Sequence, residues 1–286
     1  MTISCILAEI TPAEFTRDYY YKQPFSQRGT ATGLRELGSW KAVEEILAED
    51  DADFFLARQG ARWEGKRQPD YSQVRRLHDE GYTLVIRHAE HQHAGLRELA
   101  TGFEADFRAP VNVHVYCTPA ESFGFAWHYD AEEVFFIQTE GTKEYSLRKN
   151  TVNPWPLEET LPVNMRYERE IMPLMRCLLE PDDWLYLPAG YWHMGQSAAP
   201  SITLAVGVMS RSGVDAFDVL RTQLLDSLLW RQRLPVSGNA AECSSEELEA
   251  KYRELLQQLA DDVSKQLTSV EFARTLMEFE VPSPRS

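Results

Sequence analysis

The segment Gly124-Phe125-Ala126-Trp127-His128-Tyr129-Asp130 holds the residues best suited to chemistry. His128 and Asp130 are separated by one residue, so on an extended strand or at its end both side chains point the same way and can reach one metal ion. A second imidazole, His193, closes the later run Asp183-Trp184-Leu185-Tyr186-Leu187-Pro188-Ala189-Gly190-Tyr191-Trp192-His193. Two imidazoles and a carboxylate on one side of an ion form the facial triad suited to non-haem Fe(II) and dioxygen. A lone His-x-Asp is also what a strand end bonded to a loop looks like. The surrounding elements must decide between the two.

Those elements read as short strands. The mostly apolar run 134–138 follows Asp130 and suits a buried strand, Gly141 marks a turn, and Lys143 opens a strand over 144–147. Upstream, Val111, Val113 and Val115 alternate with Asn112, His114 and Tyr116, which predicts a strand with one apolar and one polar face. In a barrel the polar face would line the cavity, making His114 a candidate substrate contact. Further strands are expected at 176–179, 184–187, 192–196 and 202–208, joined by Gly, Pro and Asp turns. This pattern fits a mainly β protein with flanking helices, built on a double-stranded β-helix or jelly roll.

Ahead of it, Thr11 and Glu14 predict a capping box with Pro12 at the first helical position. Ser39 caps a helix over 41–47, a strand follows at 53–57, and helices follow at 71–79 and 94–107 around a strand at 82–87. His88, His91 and His93 lie in the last connection, read as solvated rather than as a metal site. The irregular insert 151–170 has the length of a lid, with Trp155, Arg166 and Tyr167 as candidate substrate contacts. From residue 213 the chain turns helical: Phe217, Leu220, Leu224 and Leu228 form one stripe, Leu248, Tyr252, Leu255, Leu259 and Val263 another, and a last helix spans 270–279. The expected division is 1–212 and 213–286.

The spacing of these residues resembles the JmjC-type cupins among the Fe(II)- and 2-oxoglutarate-dependent oxygenases, in particular the bacterial proteins similar to ribosomal oxygenases. The resemblance spans about residues 11–209 and is strongest over 111–208. It implies His128, Asp130 and His193 as iron ligands. It implies that Lys143, fifteen positions after His128, pairs with the far carboxylate of 2-oxoglutarate, and that Tyr116, twelve before His128, adds a hydroxyl there. Where this chain has His114, the resembling ribosomal oxygenases favour Asn. The implied activity is hydroxylation of a side chain in a protein or peptide, a ribosomal protein among them. The same chemistry on a free amino acid or biosynthetic small molecule is the alternative, and a metal-binding cupin without oxygenase activity is a third. In the resembling family the helical region after the barrel commonly dimerises, so a homodimer is expected.

Composition narrows the partners. A net charge of −15 over 286 residues argues against nucleic acid as the main ligand, because a phosphate backbone needs a basic face. It leaves open a basic partner steered by an acidic surface, and equally an acidity that serves solubility alone. Cys5, Cys117, Cys177 and Cys243 are scattered without a C-x-x-C, so free thiols are expected. The first ten residues have no basic segment or long apolar run, and no stretch suits a membrane span; a cytoplasmic protein is expected.

Overall fold

The computed structural model describes residues 1–58, 61–65, 68–123, 125–161, 175–236 and 244–278. Contacts divide the chain into two compact units, Met1–Ser210 and Arg211–Ser286.

In the first unit, α1 (Pro12–Asp18) leads to β1 (Phe25–Gln27), α2 (Trp40–Leu47), β2 (Asp53–Arg58), β3 (Ala61–Arg62), α3 (Tyr71–Asp79), β4 (Thr83–Arg87) and α4 (Ala94–Phe107). Strands follow: β5 (Val111–Thr118), β6 (Ser122–Phe123), β7 (Glu133–Glu140), β8 (Lys143–Arg148), β9 (Met175–Leu179), β10 (Trp184–Leu187), β11 (Trp192–Ser197) and β12 (Ser201–Val208). The helix starts follow their capping residues. The Thr11 hydroxyl accepts from the Glu14 amide at 3.2 Å, while the Glu14 carboxylate accepts from the Thr11 amide at 2.8 Å. Ser39 and Asp70 accept from the third residue of α2 and α3 respectively. Gly81, at φ +95°, lets the chain turn from α3 into β4.

All strand pairs are antiparallel. Eight strands form a sheet in the order β1-β10-β7-β12-β5-β4-β2-β3, and β6-β11-β8-β9 form a second. Strands β7, β10 and β12 of the larger sheet are buried on both faces. Val113, Val115, Phe135, Ile137, Trp184, Tyr186, Leu204 and Val206 belong to a core shared with Phe15 of α1, Val43 of α2 and Phe103 of α4. Alternate residues of the same strands, Val134, Phe136, Leu185, Leu187 and Ala205, pack with Tyr145, Leu147 and Leu179 of the smaller sheet. Strand alternation thus sends one set to the helices and the other between the sheets. This is the jelly roll expected from the strand pattern, with a helical layer on its outer face. The sequence reading did not foresee β1; at three residues it is too short to show periodicity.

The second unit contains α5 (Gly213–Leu224), α6 (Ser245–Leu267) and α7 (Val270–Glu278). Its core is Val219, Leu220, Leu224 and Phe272, joined by Trp230, Val263 and Leu276. The expected stripe through Phe217 and Leu228 is corrected here. α5 ends at Leu224, leaving Leu228 beyond it, and both side chains are exposed. α6 contains no fully buried residue, and Leu248, Tyr252, Leu255 and Leu259 form a half-buried stripe along it. No helix among the described residues is long and apolar enough to cross a membrane.

Candidate active site

His128 and His193 come together across a single antiparallel bridge. The His128 amide donates to the His193 carbonyl at 3.1 Å, and the His193 amide returns a bond to the His128 carbonyl at 2.8 Å. The rings stand 4.2 Å apart. Gly190, at φ +79° in the turn before β11, donates its amide to the Asp130 carbonyl at 2.8 Å and fixes the third residue.

Both imidazoles are set for ligation. Nδ1 of His128 lies 2.8 Å from the Ala126 carbonyl and Nδ1 of His193 lies 3.0 Å from the Tyr191 carbonyl. A carbonyl only accepts, so each Nδ1 carries the proton and each Nε2 lone pair is free to bind a cation. The two Nε2 atoms are 3.9 and 3.5 Å from the Asp130 carboxylate oxygens. One ligand atom from each of the three residues falls within 4.8 Å of the others, and no other such group of three occurs among the described residues. Burial, reinforced by His128, lowers the His193 pKa to about 4, keeping the ring neutral as a metal ligand must be. The donor set fits Fe(II), as it fits several other divalent ions.

The three residues open on a cavity of about 140 Å³ between the sheets. Lys143, Tyr116 and Tyr145 line one part of it. Lys143 is 6 % exposed, and no carboxylate among the described residues pairs with it; its ammonium lies 3.4 Å from the Thr118 hydroxyl. The ammonium is also 5.6 Å from the Tyr116 ring centre and 5.5 Å from that of Tyr145. Burial lowers its pKa to about 8. Among the described residues no partner lies within hydrogen-bond distance of the buried Tyr145 hydroxyl, Thr203 being the side chain that acts on it. A Cβ added at Gly195, opposite Tyr145 on β11, would lie 2.7 Å from the Lys143 stem, so the glycine makes room for the lysine. An unpaired buried cation beside an orphaned hydroxyl is what an anionic ligand would complete.

His114 and Glu132 line the cavity as well. Nδ1 of His114 accepts from the His88 amide at 3.2 Å, and burial lowers its pKa to about 4. The His88–His93 connection is therefore not merely solvated. Glu90 in it is buried and accepts from the Val113 amide at 2.8 Å, while Nδ1 of His93 accepts from the Leu96 amide at the start of α4.

Sequence reasoning missed Glu132, Tyr145 and Phe125 in the lining. The signal for the first two was parity: Glu132, Val134 and Phe136 continue the alternation from Asp130, and Tyr145 that from Lys143. Tyr129, of opposite parity, packs edge-on against Trp192 at 4.6 Å, away from the cavity. Trp184 and Tyr186 belong to the helix-side core. Trp155 lines a separate pocket with Tyr191, not this cavity. Gly124, Arg166 and Tyr167 lie outside the described residues.

Fold and site together define a jelly-roll protein with a His-Asp-His set lining its cavity that could hold a metal ion. A family model described as JmjC domain matches residues 92–216. Two relatives are bifunctional lysine-specific demethylase and histidyl-hydroxylase NO66 proteins. That of Drosophila persimilis is 29 % identical over 214 residues, covering 72 % of this chain and 31 % of the relative. That of Drosophila sechellia is 30 % identical over 207 residues, covering 68 % and 32 %. The chain thus spans about a third of these relatives. Among solved structures, the Escherichia coli ribosomal oxygenase YcfD aligns with a TM-score of 0.64 at 17 % identity, over 98 % of this chain and 73 % of that one. YcfD in complex with cobalt and 2-oxoglutarate aligns at 0.59 and 18 % identity, over 92 % and 68 %. At these identities the likeness is one of fold.

Proposed function

We propose that the protein is an Fe(II)- and 2-oxoglutarate-dependent oxygenase that hydroxylates a side chain of a protein or peptide, in the manner of the ribosomal oxygenases. The observation that carries this reading is the pairing of an inward-facing His-Asp-His set with an unpaired buried lysine in one cavity. His128, Asp130 and His193 hold the iron. Bound iron, with 2-oxoglutarate and dioxygen, supplies an oxidative decarboxylation that yields succinate and carbon dioxide and places one oxygen atom in a C–H bond. The Ala126 and Tyr191 carbonyls keep the two ring protons on Nδ1 and so hold both lone pairs inward. Lys143 pairs with the far carboxylate of the diacid, and the Tyr116 and Tyr145 hydroxyls donate to it. Phe136, Val134 and Ala205 keep the walls apolar, which strengthens that pairing.

A metal-binding cupin without oxygenase activity has no use for a buried, unpaired lysine facing its metal. The protein substrate draws support from the histidyl-hydroxylase and ribosomal-oxygenase activities of the NO66 and YcfD proteins and from the net negative charge. The same reading has the protein acting in the cytoplasm as a homodimer, with nucleic acid no ligand of it. The half-buried apolar stripe on α6 supports a dimer through the second unit.

The test is succinate release by the anaerobically purified, Fe(II)-loaded chain given 2-oxoglutarate and air without substrate, beside a His128→Ala control. Slow release that disappears in the variant is expected. Absence of both release and 2-oxoglutarate binding in the iron-loaded wild type would remove the reading. Gly195→Ala should raise the KM for 2-oxoglutarate roughly tenfold with metal binding retained, because the added methyl crowds the Lys143 stem at an overpacking cost of about 1–3 kcal/mol. Steady-state succinate assays across 2-oxoglutarate concentrations check this.

A further inference from the structure

The turn between β10 and β11, residues 188–191, supplies no metal ligand, yet it holds two of them. Its Gly190 amide donates to the Asp130 carbonyl at 2.8 Å, and its Tyr191 carbonyl takes the Nδ1 proton of His193 at 3.0 Å. The turn closes on itself through the Tyr191 amide, which donates to the Pro188 carbonyl at 3.2 Å. Whatever fixes this turn therefore sets the aim of a carboxylate and an imidazole together.

The remaining amide of the turn, that of Ala189, donates to Oε1 of Glu133 at 3.2 Å. Glu133 opens β7, three residues after Asp130, and is 3 % exposed. Its second oxygen accepts from the hydroxyl of Tyr186, on β10 just ahead of the turn. That hydroxyl in turn accepts from the Tyr21 amide at 2.9 Å, in a residue held at φ +63°. One carboxylate thus joins the start of β7, the turn and the segment after α1.

Glu133 differs in parity from Val134 and Phe136, so its side chain leaves the cavity for the helix side, where Tyr186 packs. It touches neither the cavity nor the three ligands. A buried carboxylate is costly to desolvate, and two donors offset that cost here. In return its bonds to Ala189 and Tyr186 are charge-assisted, roughly twice as strong as neutral ones.

We propose that Glu133, braced by Tyr186, is a positioning residue that clamps the 188–191 turn through the Ala189 amide and so holds Asp130 and His193 in the geometry that binds the metal. The inference rests on the metal site proposed above and not on the identity of the substrate. A carboxylate serving stability alone would make a different prediction: its loss would lower the melting temperature and leave metal affinity untouched.

The test titrates the full chain with Co(II) at pH 8, above the value of about 7 to which burial raises the Glu133 pKa. Calorimetry gives the affinity and the visible Co(II) bands report the coordination geometry. Glu133→Ala should weaken binding at least tenfold, within the ~10–100-fold that loss of an outer-shell partner costs, and shift the bands. Glu133→Gln keeps an oxygen for the Ala189 amide and should recover affinity to within about threefold of wild type. Val43→Ala, in the helix-side core, should melt lower than wild type with affinity and bands unchanged. If Glu133→Ala does not fold, Tyr186→Phe decides, since it keeps the buried ring and removes only the brace; a loss of about fivefold is expected. Unchanged affinity and bands in folded Glu133→Ala or in Tyr186→Phe, or a glutamine variant no better than alanine, would overturn the proposal. Succinate release by the Fe(II)-loaded wild type is scored separately. Its absence with the Co(II) effects intact removes the oxygenase reading alone, and its presence without them removes this inference alone. A wild type that binds no Co(II) would remove the metal site and this inference with it.

Discussion

Asp130→Ala is expected to lower divalent-metal affinity by well over the ~10–100-fold that loss of an outer-shell partner costs, and succinate release should fall below detection. Asp130 is the only anion among the three converging residues. Two neutral imidazoles without it leave a dication with weaker donors and no charge compensation. The backbone role of the residue survives the change, because its carbonyl still takes the Gly190 amide. The variant should therefore keep its melting temperature in metal-free buffer. Asp130→Asn should fare little better than alanine, since the amide preserves shape and loses charge. Calorimetric titration with Fe(II) under anaerobic conditions, or with Co(II) in air, checks both variants. Affinity within threefold of wild type would show that the ligand set is wrong.

Lys143→Met carries the second large effect, with two signs. Without ligand, the ammonium is buried and lacks a counter-charge, so replacing it with a thioether of similar length should raise the melting temperature by a few degrees. With ligand, the far carboxylate of 2-oxoglutarate would be left buried and unpaired, a loss of about 3–5 kcal/mol, or roughly 10²–10³ in KM. The stabilisation that 2-oxoglutarate gives the wild type in a thermal shift should vanish. The pH dependence follows from the same burial. The cationic form binds the diacid, and its pKa is lowered to about 8 in the free chain. Affinity should therefore hold below that pH and decline as the pH rises past it. A variant less stable than wild type in the absence of ligand, yet unchanged in KM, would contradict the assignment.

Much of this was legible in the residues, for reasons that differ between elements. His-x-Asp and the later histidine stand out because metal ligation demands particular side chains at particular spacings. β5 was legible because one of its faces is polar, giving a strict period of two. β7 was not, beyond its existence. It is buried on both faces, so Val134, Phe135, Phe136 and Ile137 read as one apolar run, and nothing in it says which residues face the helices. That lost phase also hid Glu132, which shares the parity of Asp130 but sits in the loop before the strand. Tyr145 was hidden because a tyrosine in a strand is ordinarily packing; only its orphaned hydroxyl marks it out. In the second unit the leucine spacing gave the helices but not the buried face. Packing selected Val219, Leu220 and Leu224, and left Phe217 outside.

The bridge between His128 and His193 has a further consequence. It is an isolated pair of hydrogen bonds, outside the ladders that hold the two sheets together. It ties the segment that carries His128 and Asp130 to β11 without extending either sheet. An ion held by both imidazoles would bridge the same junction, so occupancy of the triad would add a second tie between that segment and the smaller sheet.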